Sequence, residues 1–308
     1  MNKRFILIHG PTGVGKSSTI MQLGKTLPIE IVNCDVGQFY EPFGIGTAKP
    51  NWKQEAIPHH LFDVITKPED FTVARYRRLI LKTMEEILKR GNTPVLVGGS
   101  GFYGKSLFFP PCSESSDWDE SQEGSWQELF KKDPQRATAI GKNDTYRIAR
   151  ALSILKTSDK KPSDCIPQFD PPPGKALVIF LSRERQELYE RINVRTHEMF
   201  KEGWLEEVKS LIGTPWEKFL ERKKLIGYTD ILRYIKEAST SKEAYQIMIK
   251  AIQKKTRNYA KRQETFWRMF KKILAAEFKK TDSIIIQVNL TQDLHRKKIA
   301  KNLAQFIL

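Results

Sequence analysis

The amino-acid sequence predicts an α/β protein: a parallel sheet core, a helical insertion domain inside it, and a largely helical C-terminal part. Three observations carry this. Residues 10–17 read GPTGVGKS and match the pattern G-x-x-x-x-G-K-[ST] without a mismatch, between an apolar run, FILIH at 5–9, and a helix-spaced segment at 17–27. Further short apolar runs, IEIV at 29–32, TPVLV at 93–97 and ALVIFL at 176–181, have the composition of strands buried on both faces. Between Pro110-Pro111 and Pro171-Pro172-Pro173-Gly174 such runs stop and helix-like segments replace them. The core is thus of the P-loop type, with expected parts 1–110 (core, first part), 111–174 (insertion) and 175–308 (core, second part, with basic C-terminal helices).

The loop comes first in the chain. In Gly10, Pro11, Thr12, Gly13, Val14, Gly15, Lys16 and Ser17, the glycines let backbone N–H groups converge on one anion. The helix that follows adds the positive end of its dipole. Lys16 brings a point charge, and the Ser17 hydroxyl is the type of ligand that holds Mg²⁺. This predicts binding of a phosphate or pyrophosphate without saying whose. The second strand ends in Asn33-Cys34-Asp35, and ligands of open α/β sheets sit at the C-terminal strand ends, so Asp35 is expected beside the loop.

A loop-rich stretch, 37–58, follows and contains GIGTAKP at 44–50. His59 and His60 precede an apolar run, 61–65, read as a strand. Adjacent histidines point to opposite faces of a strand, so they are expected to be structural rather than a shared metal site. Residues 71–90 read as an amphipathic helix with Ile80, Met84, Ile87 and Leu88 on one stripe, ended by Gly91-Asn92. The strand at 93–97 runs into Gly98-Gly99-Ser100-Gly101 with no acidic residue at its end, unlike the magnesium-binding Asp of many ATPases. In the insertion, helices are expected at 125–131 and 144–155. After the strand at 176–181, helices are expected at 183–200, 203–212 and 242–270, then a strand at 284–290 and a closing helix at 295–308.

Composition narrows the partner. The 308 residues are 40% hydrophobic and 29% charged, with a net charge of +16. That excess points to a polyanion, above all a nucleic acid. Cys34, Cys112 and Cys165 are too sparse for a CxxC or zinc pattern and are expected as reduced thiols in the cytoplasm. No run has the length of a signal peptide core or a membrane span, so no membrane association is expected. A monomer is the default expectation.

Several local motifs now stand in one order: GPTGVGKS at 10, D-x-x-Q-x-Y at 35–40, GIGTAKP at 44, PHHLFD at 58, VGGSGFY at 97, NDTYRIARAL at 143, LYERINVRTHEMF at 188, IGY at 226 and TRNYAKRQETFWR at 256. In this order they resemble the tRNA dimethylallyltransferases, also called tRNA isopentenyltransferases, up to about Arg268. The resemblance implies transfer of a dimethylallyl group from dimethylallyl pyrophosphate to N6 of adenosine 37 in tRNAs reading U-initial codons, with Mg²⁺ and without ATP hydrolysis. It implies catalytic roles for Asp35, Ser100, Lys16 and Arg195, and pyrophosphate contacts from residues 10–17 with Arg191 and Arg195. It implies tRNA contacts from Asp35, Val36, Gly37, Gln38, Ser100, Tyr146, Arg147, Arg150, Arg257, Lys261, Arg262, Gln263, Thr265, Trp267 and Arg268. Val36, Gly37, Glu41, Ser153 and the order TFWR depart from the family's usual residues and mark a divergent member. Two other readings compete. A small-molecule kinase explains the loop and Asp35 but not the charge or the basic, aromatic C-terminal helices. An RNA-binding nucleotide switch would tie RNA affinity to ATP or GTP.

Overall fold

The computed structural model describes residues 3–24, 27–111, 124–157, 161–237, 241–291 and 294–307. Its elements are β1 (Arg4–His9), α1 (Lys16–Leu23), β2 (Ile29–Asn33), β3 (His59–His60), α2 (Val73–Lys89), β4 (Thr93–Gly98), α3 (Gly101–Ser106), α4 (Trp126–Lys132), α5 (Pro134–Thr138), α6 (Thr145–Thr157), β5 (Lys175–Ser182), α7 (Arg185–Lys201), α8 (Trp204–Lys209), α9 (Pro215–Lys223), α10 (Tyr228–Lys236), α11 (Lys242–Phe278), β6 (Ile284–Asn289) and α12 (Leu294–Ile307). The chain forms two compact units. One holds residues 1–71, 79–104 and 173–308; the other holds 72–78 and 105–172.

The first unit is built on a six-stranded sheet in the order β3-β2-β4-β1-β5-β6. Every pairing is parallel. β1, β2, β4 and β5 are buried almost throughout, which is why their sequences are continuous rather than alternating apolar runs. Central β1 lies between β4 and β5, and β4 lies between β1 and β2. The turns after β1, β2 and β4 therefore gather at one sheet edge, where α/β folds place their ligands.

One buried charge in this sheet has a full set of partners. Glu30 on β2 is 2% exposed. It accepts from Arg90 Nε (2.9 Å) and Nη2 (2.7 Å) and from Asn92 Nδ2 (2.8 Å), and pairs with His60 Nε2 (2.5 Å). Arg90 above all holds its pKa down at about 2. A depressed carboxylate stabilises the fold above its unfolded pKa and loses that contribution as pH falls toward 2. Glu30→Ala is expected to lower stability by about 2 kcal/mol, discounted because Arg90 stays half in solvent. A urea midpoint shifted down at pH 7 but little at pH 2 checks this. His60 thus has the structural role expected of it. His59 bonds the Ile57 carbonyl.

The strand expected at 61–65 does not form. β3 is two residues long, and Leu61 (φ +61°) and Asp63 (φ +53°) turn the chain through the left-handed region. Asp63 then receives the Lys49 ammonium and the Trp52 indole N–H (2.9 Å), which anchors the loop. α11 runs to Phe278, beyond the expected 270. The sequence spacing shows no sign of α3, α5, α9 or α10. Thr214 caps α9 by accepting from Trp216 N, with Pro215 in its first turn. Cys34 is a buried free thiol, but Cys165 is in a disulfide, so the expectation of reduced thiols fails there. Cys112 lies outside the described residues.

The second unit is helical. Leu129, Ala137, Ile140, Ile148, Ala151 and Leu152 form its core. Ser125 caps α4, and buried Asp133 caps α5 while accepting from Ser163 N (2.8 Å). On α6, Tyr146 (59% exposed) and Arg147 face solvent and Arg150 is half-buried.

Candidate active site

The phosphate loop is held from below by its neighbours. Gly13 and Gly15 adopt φ of +80° and +103°, which only glycine takes without strain. Arg183, at the end of β5, donates from Nε to Val14 O (2.8 Å) and from Nη1 to Leu290 O (3.2 Å), and pairs with Glu187. Arg191 Nε on α7 donates to Gly13 O (2.9 Å). Lys16 Nζ lies against the carbonyls of Gly10 (3.0 Å) and Pro11 (3.1 Å). The Arg183 contact was missed in the sequence, although an arginine directly after a buried strand is a detectable signal.

Asp35 follows β2 as expected. Its N–H donates to Asn33 Oδ1 (2.8 Å), and Asn33 Nδ2 donates on to Leu61 O (3.0 Å), which fixes the turn. Ser100 Oγ accepts from Val36 N (3.0 Å), tying the turn after β4 to the turn after β2. Gly98 is required here: a Cβ on it would lie 1.9 Å from Cys34 O.

Three charges act on one another in this crevice. Burial raises the Asp35 pKa above the ordinary carboxylate range, with Lys16, the N–H groups of Gly99 and Gly37, and Arg195 opposing. Burial lowers Lys16 to about 8, with Asp35 opposing and Arg195 adding to the fall. Burial also lowers Arg195, with Asp35 opposing. A carboxylate raised toward neutrality suits a base, and two cations around it suit an anionic leaving group. His9, one residue before the loop, is buried beside Phe180 and Trp267 and donates from Nδ1 to Gly98 O. Burial first and the Lys16 charge second push its pKa down to about 3, which favours the neutral imidazole.

Two cavities meet at Asp35. One, of about 620 Å³, is lined by Thr12, Gly13, Gly15, Lys16, Ser17, Asp35, Gln38, Arg191, Arg195 and three glutamates of α7. The other, of about 310 Å³, is more apolar and includes Val36, Gly37, Ile192, Trp204, Ile226, Tyr228, Tyr259 and Arg262. Thr12, Gly13, Asp35, Thr47, Ala48 and Arg195 border both. The GIGTAKP loop forms part of the shared wall because Glu207 clamps it. Its carboxylate accepts from the N–H of Gly44 (3.0 Å), Ile45 (2.7 Å) and Gly46 (3.2 Å) and from the Tyr228 hydroxyl (2.6 Å). Gln38 Nε2 bonds the carbonyls of Thr47 and Ala48.

α11 closes the crevice, and here two expectations change. Trp267, expected on the RNA face, is 1% exposed and stacks on Phe180 of β5 (4.5 Å, 2°), so it belongs to the core. Gln263, expected on the same face, is 4% exposed. Its Oε1 accepts from Thr12 N (2.9 Å) and its Nε2 donates to Gly99 O (2.8 Å), bridging the phosphate loop and the turn after β4. Gln263→Leu would leave the Thr12 N–H unpaired, at a cost of roughly 1–3 kcal/mol. An increase of about tenfold in donor KM with unchanged RNA affinity is the expected kinetic signature.

The other cations of α11 are arranged unevenly. Lys261, Arg262 and Arg268 are exposed, as is Thr265, which bonds Arg268. Arg257 is half-buried and donates to Asn193 Oδ1 (2.6 Å). Arg257 and Lys261 both lie over the Tyr189 ring, at 5.9 Å, and Arg262 lies over Tyr259 at 5.7 Å.

A phosphate loop facing a raised carboxylate, with an apolar cavity on the far side, defines an enzyme that moves a group off a phosphate or pyrophosphate. The family model for IPP transferases matches residues 38–270. A tRNA dimethylallyltransferase of Petrotoga mobilis is 34% identical, with both chains covered in full, and one of Alkaliphilus oremlandii is 33% identical over 89% of this chain and 91% of its own. Among solved structures, the full-length tRNA isopentenylpyrophosphate transferase of Bacillus halodurans is 28% identical with a TM-score of 0.63, covering 100% of this chain and 97% of that one. A eukaryotic dimethylallyltransferase, captured acting on tRNA, is 28% identical with a TM-score of 0.76, covering 98% and 77%. The chain belongs to the IPP transferase family.

Proposed function

We propose that the protein is a tRNA dimethylallyltransferase that moves the dimethylallyl group of dimethylallyl pyrophosphate to N6 of adenosine 37 in tRNAs reading U-initial codons. The observation that carries this is the meeting of the two cavities at Asp35. The phosphate-loop cavity takes the pyrophosphate on the loop amides, Lys16, Arg191 and Arg195. The apolar cavity takes a flat base flipped from the anticodon loop, since a stacked base cannot reach so far in. The allylic carbon then lies between them.

Adenine N6 is a weak nucleophile because its lone pair is shared with the ring. The new N6–C bond forms as the C–O bond to pyrophosphate breaks, and the N6 proton passes to the Asp35 carboxylate. The charge that gathers on the leaving pyrophosphate is matched by Lys16, the loop N–H groups and the two arginines. Ser100, only 6% exposed, holds the turn that aims Asp35.

Mg²⁺ fits this site in one way. Ser17 is exposed at the start of α1 and lines the phosphate-loop cavity. Among the described residues no group of three His, Cys, Asp or Glu could hold a metal. An ion on Ser17 would therefore depend on donor oxygens and water, as Mg²⁺ commonly does. Bound there, it would neutralise pyrophosphate charge.

The excess of +16 is assigned to tRNA backbone, through Lys261, Arg262, Arg268 and Arg257, with Arg147 and Arg150 of the second unit. Lys261→Ala with Arg262→Ala is expected to weaken tRNA binding and flatten its logarithmic salt dependence by about two units. Binding titrations from low to moderate salt check this. One chain holds every part of the site, which supports action as a monomer. Among the described residues no helix is long and apolar enough to cross a membrane, and tRNA as substrate supports a cytoplasmic location.

The test of the reaction uses two labelled donors. With bulk tRNA, label is expected to enter from dimethylallyl pyrophosphate and not from γ-labelled ATP. That result would sink the small-molecule kinase reading, whereas no label from dimethylallyl pyrophosphate would overturn the proposal.

A further inference from the structure

Phe102 is 61% exposed and stands two residues from Ser100, whereas Tyr259 and Phe266 nearby are partly covered. A single exposed aromatic needs no explanation by itself, so the setting of this one decides what it serves. It is held in place on one side. Its ring lies 5.6 Å from that of Phe266, tilted by 43°. Phe266 is in turn seated against Gly101, where a Cβ would come within 2.3 Å of the Phe266 ring. The glycine is therefore what lets α11 press this ring against the start of α3.

The position of the pair on α11 says what it serves. Tyr259, Arg262, Gln263 and Phe266 stand at i, i+3, i+4 and i+7, so they share one face of the helix. At one end of that stripe Tyr259 and Arg262 line the cavity that holds Asp35. Gln263 reaches the Gly99 carbonyl in the middle, and Phe266 meets Gly101 at the other end. Seven residues of helix span about 10 Å. The stripe thus leads from the catalytic carboxylate to an exposed aromatic, with the exposed cations Arg262 and Arg268 on the same helix. A base drawn into the cavity leaves neighbours that have lost a stacking partner, and a fixed aromatic face beside the entrance replaces it.

We infer that Phe102, backed by Phe266, is a stacking platform for the base of a nucleotide adjacent to the target adenosine. This rests on the tRNA reading above. The occupant is a nucleobase because the stripe is continuous with the base cavity and the helix that carries it is cationic.

The test uses an anticodon stem-loop RNA in which 2-aminopurine replaces, in separate molecules, the nucleotide on either side of the target adenosine. Phe102→Ala is expected to raise the Kd of the unlabelled stem-loop about tenfold, as loss of one base-stacking contact does. The salt slope and the binding of dimethylallyl pyrophosphate should not change. One of the two probes should be quenched by the wild type and not by Phe102→Ala, and Phe102→Trp should restore both affinity and quenching. If the wild type prenylates the stem-loop but Phe102→Ala matches it in affinity and in fluorescence at both probe positions, the platform is wrong and the tRNA reading stands. If the wild type does not prenylate or bind the stem-loop at all, the tRNA reading fails and takes the platform with it.

Discussion

Asp35→Ala is expected to slow dimethylallyl transfer at least about 100-fold while leaving tRNA affinity nearly unchanged. The magnitude is that of a positioned general base, about 2.7 kcal/mol of barrier. Burial raises the Asp35 pKa, and the N–H groups of Gly99 and Gly37 with the charges of Lys16 and Arg195 limit the rise. A carboxylate raised in this way binds a proton better than an exposed one. The single-turnover rate should fall as pH drops through this raised value, because the protonated carboxyl cannot accept the N6 proton. Asp35→Asn keeps the shape without the basicity and should be as slow as the alanine variant. Near-normal single-turnover rates in either would remove Asp35 from proton transfer.

Lys16→Ala is expected to lower kcat/KM for the donor by about 100-fold, the scale of losing one donor aimed at developing charge. The free protein holds Lys16 at about 8, mainly through burial. The sign follows directly: below that value the ammonium is present and attracts pyrophosphate, and above it the charge is lost. Donor kcat/KM should therefore decline above about pH 8. A bound pyrophosphate stabilises the ammonium, so the alkaline limb of kcat should lie at higher pH than that of kcat/KM. Lys16→Arg keeps a cation at all accessible pH and should abolish the alkaline limb near 8 whatever its activity. If the limb persists in that variant, another group titrates there.

Much of this is legible in the sequence, and the reasons differ by residue. GPTGVGKS, Asp35 and the turn at Gly98–Gly101 were readable because each follows a buried parallel strand, and the sheet order carries all three to one edge. The strand expected at 61–65 fails because Leu61 and Asp63 take left-handed φ, which their side chains do not advertise. Trp267 and Gln263 were misplaced for a different reason. Both sit in a basic, aromatic run, and composition alone does not tell which face of a helix looks inward. Trp267 is turned onto Phe180, whereas Gln263 is turned onto Thr12 and Gly99. The Glu207 clamp was out of reach, since it joins residues about 160 positions apart and shows no local pattern.

The central claim is that this crevice prenylates N6 of adenosine in tRNA with Asp35 as its base. Mass analysis of tRNA nucleosides from cells lacking the protein, and from the same cells supplied with wild type or Asp35→Asn, tests it most directly. N6-(dimethylallyl)adenosine and anything made from it should be absent without the protein, return with the wild type, and stay absent with Asp35→Asn. An unchanged nucleoside profile in the cells lacking the protein would contradict the account.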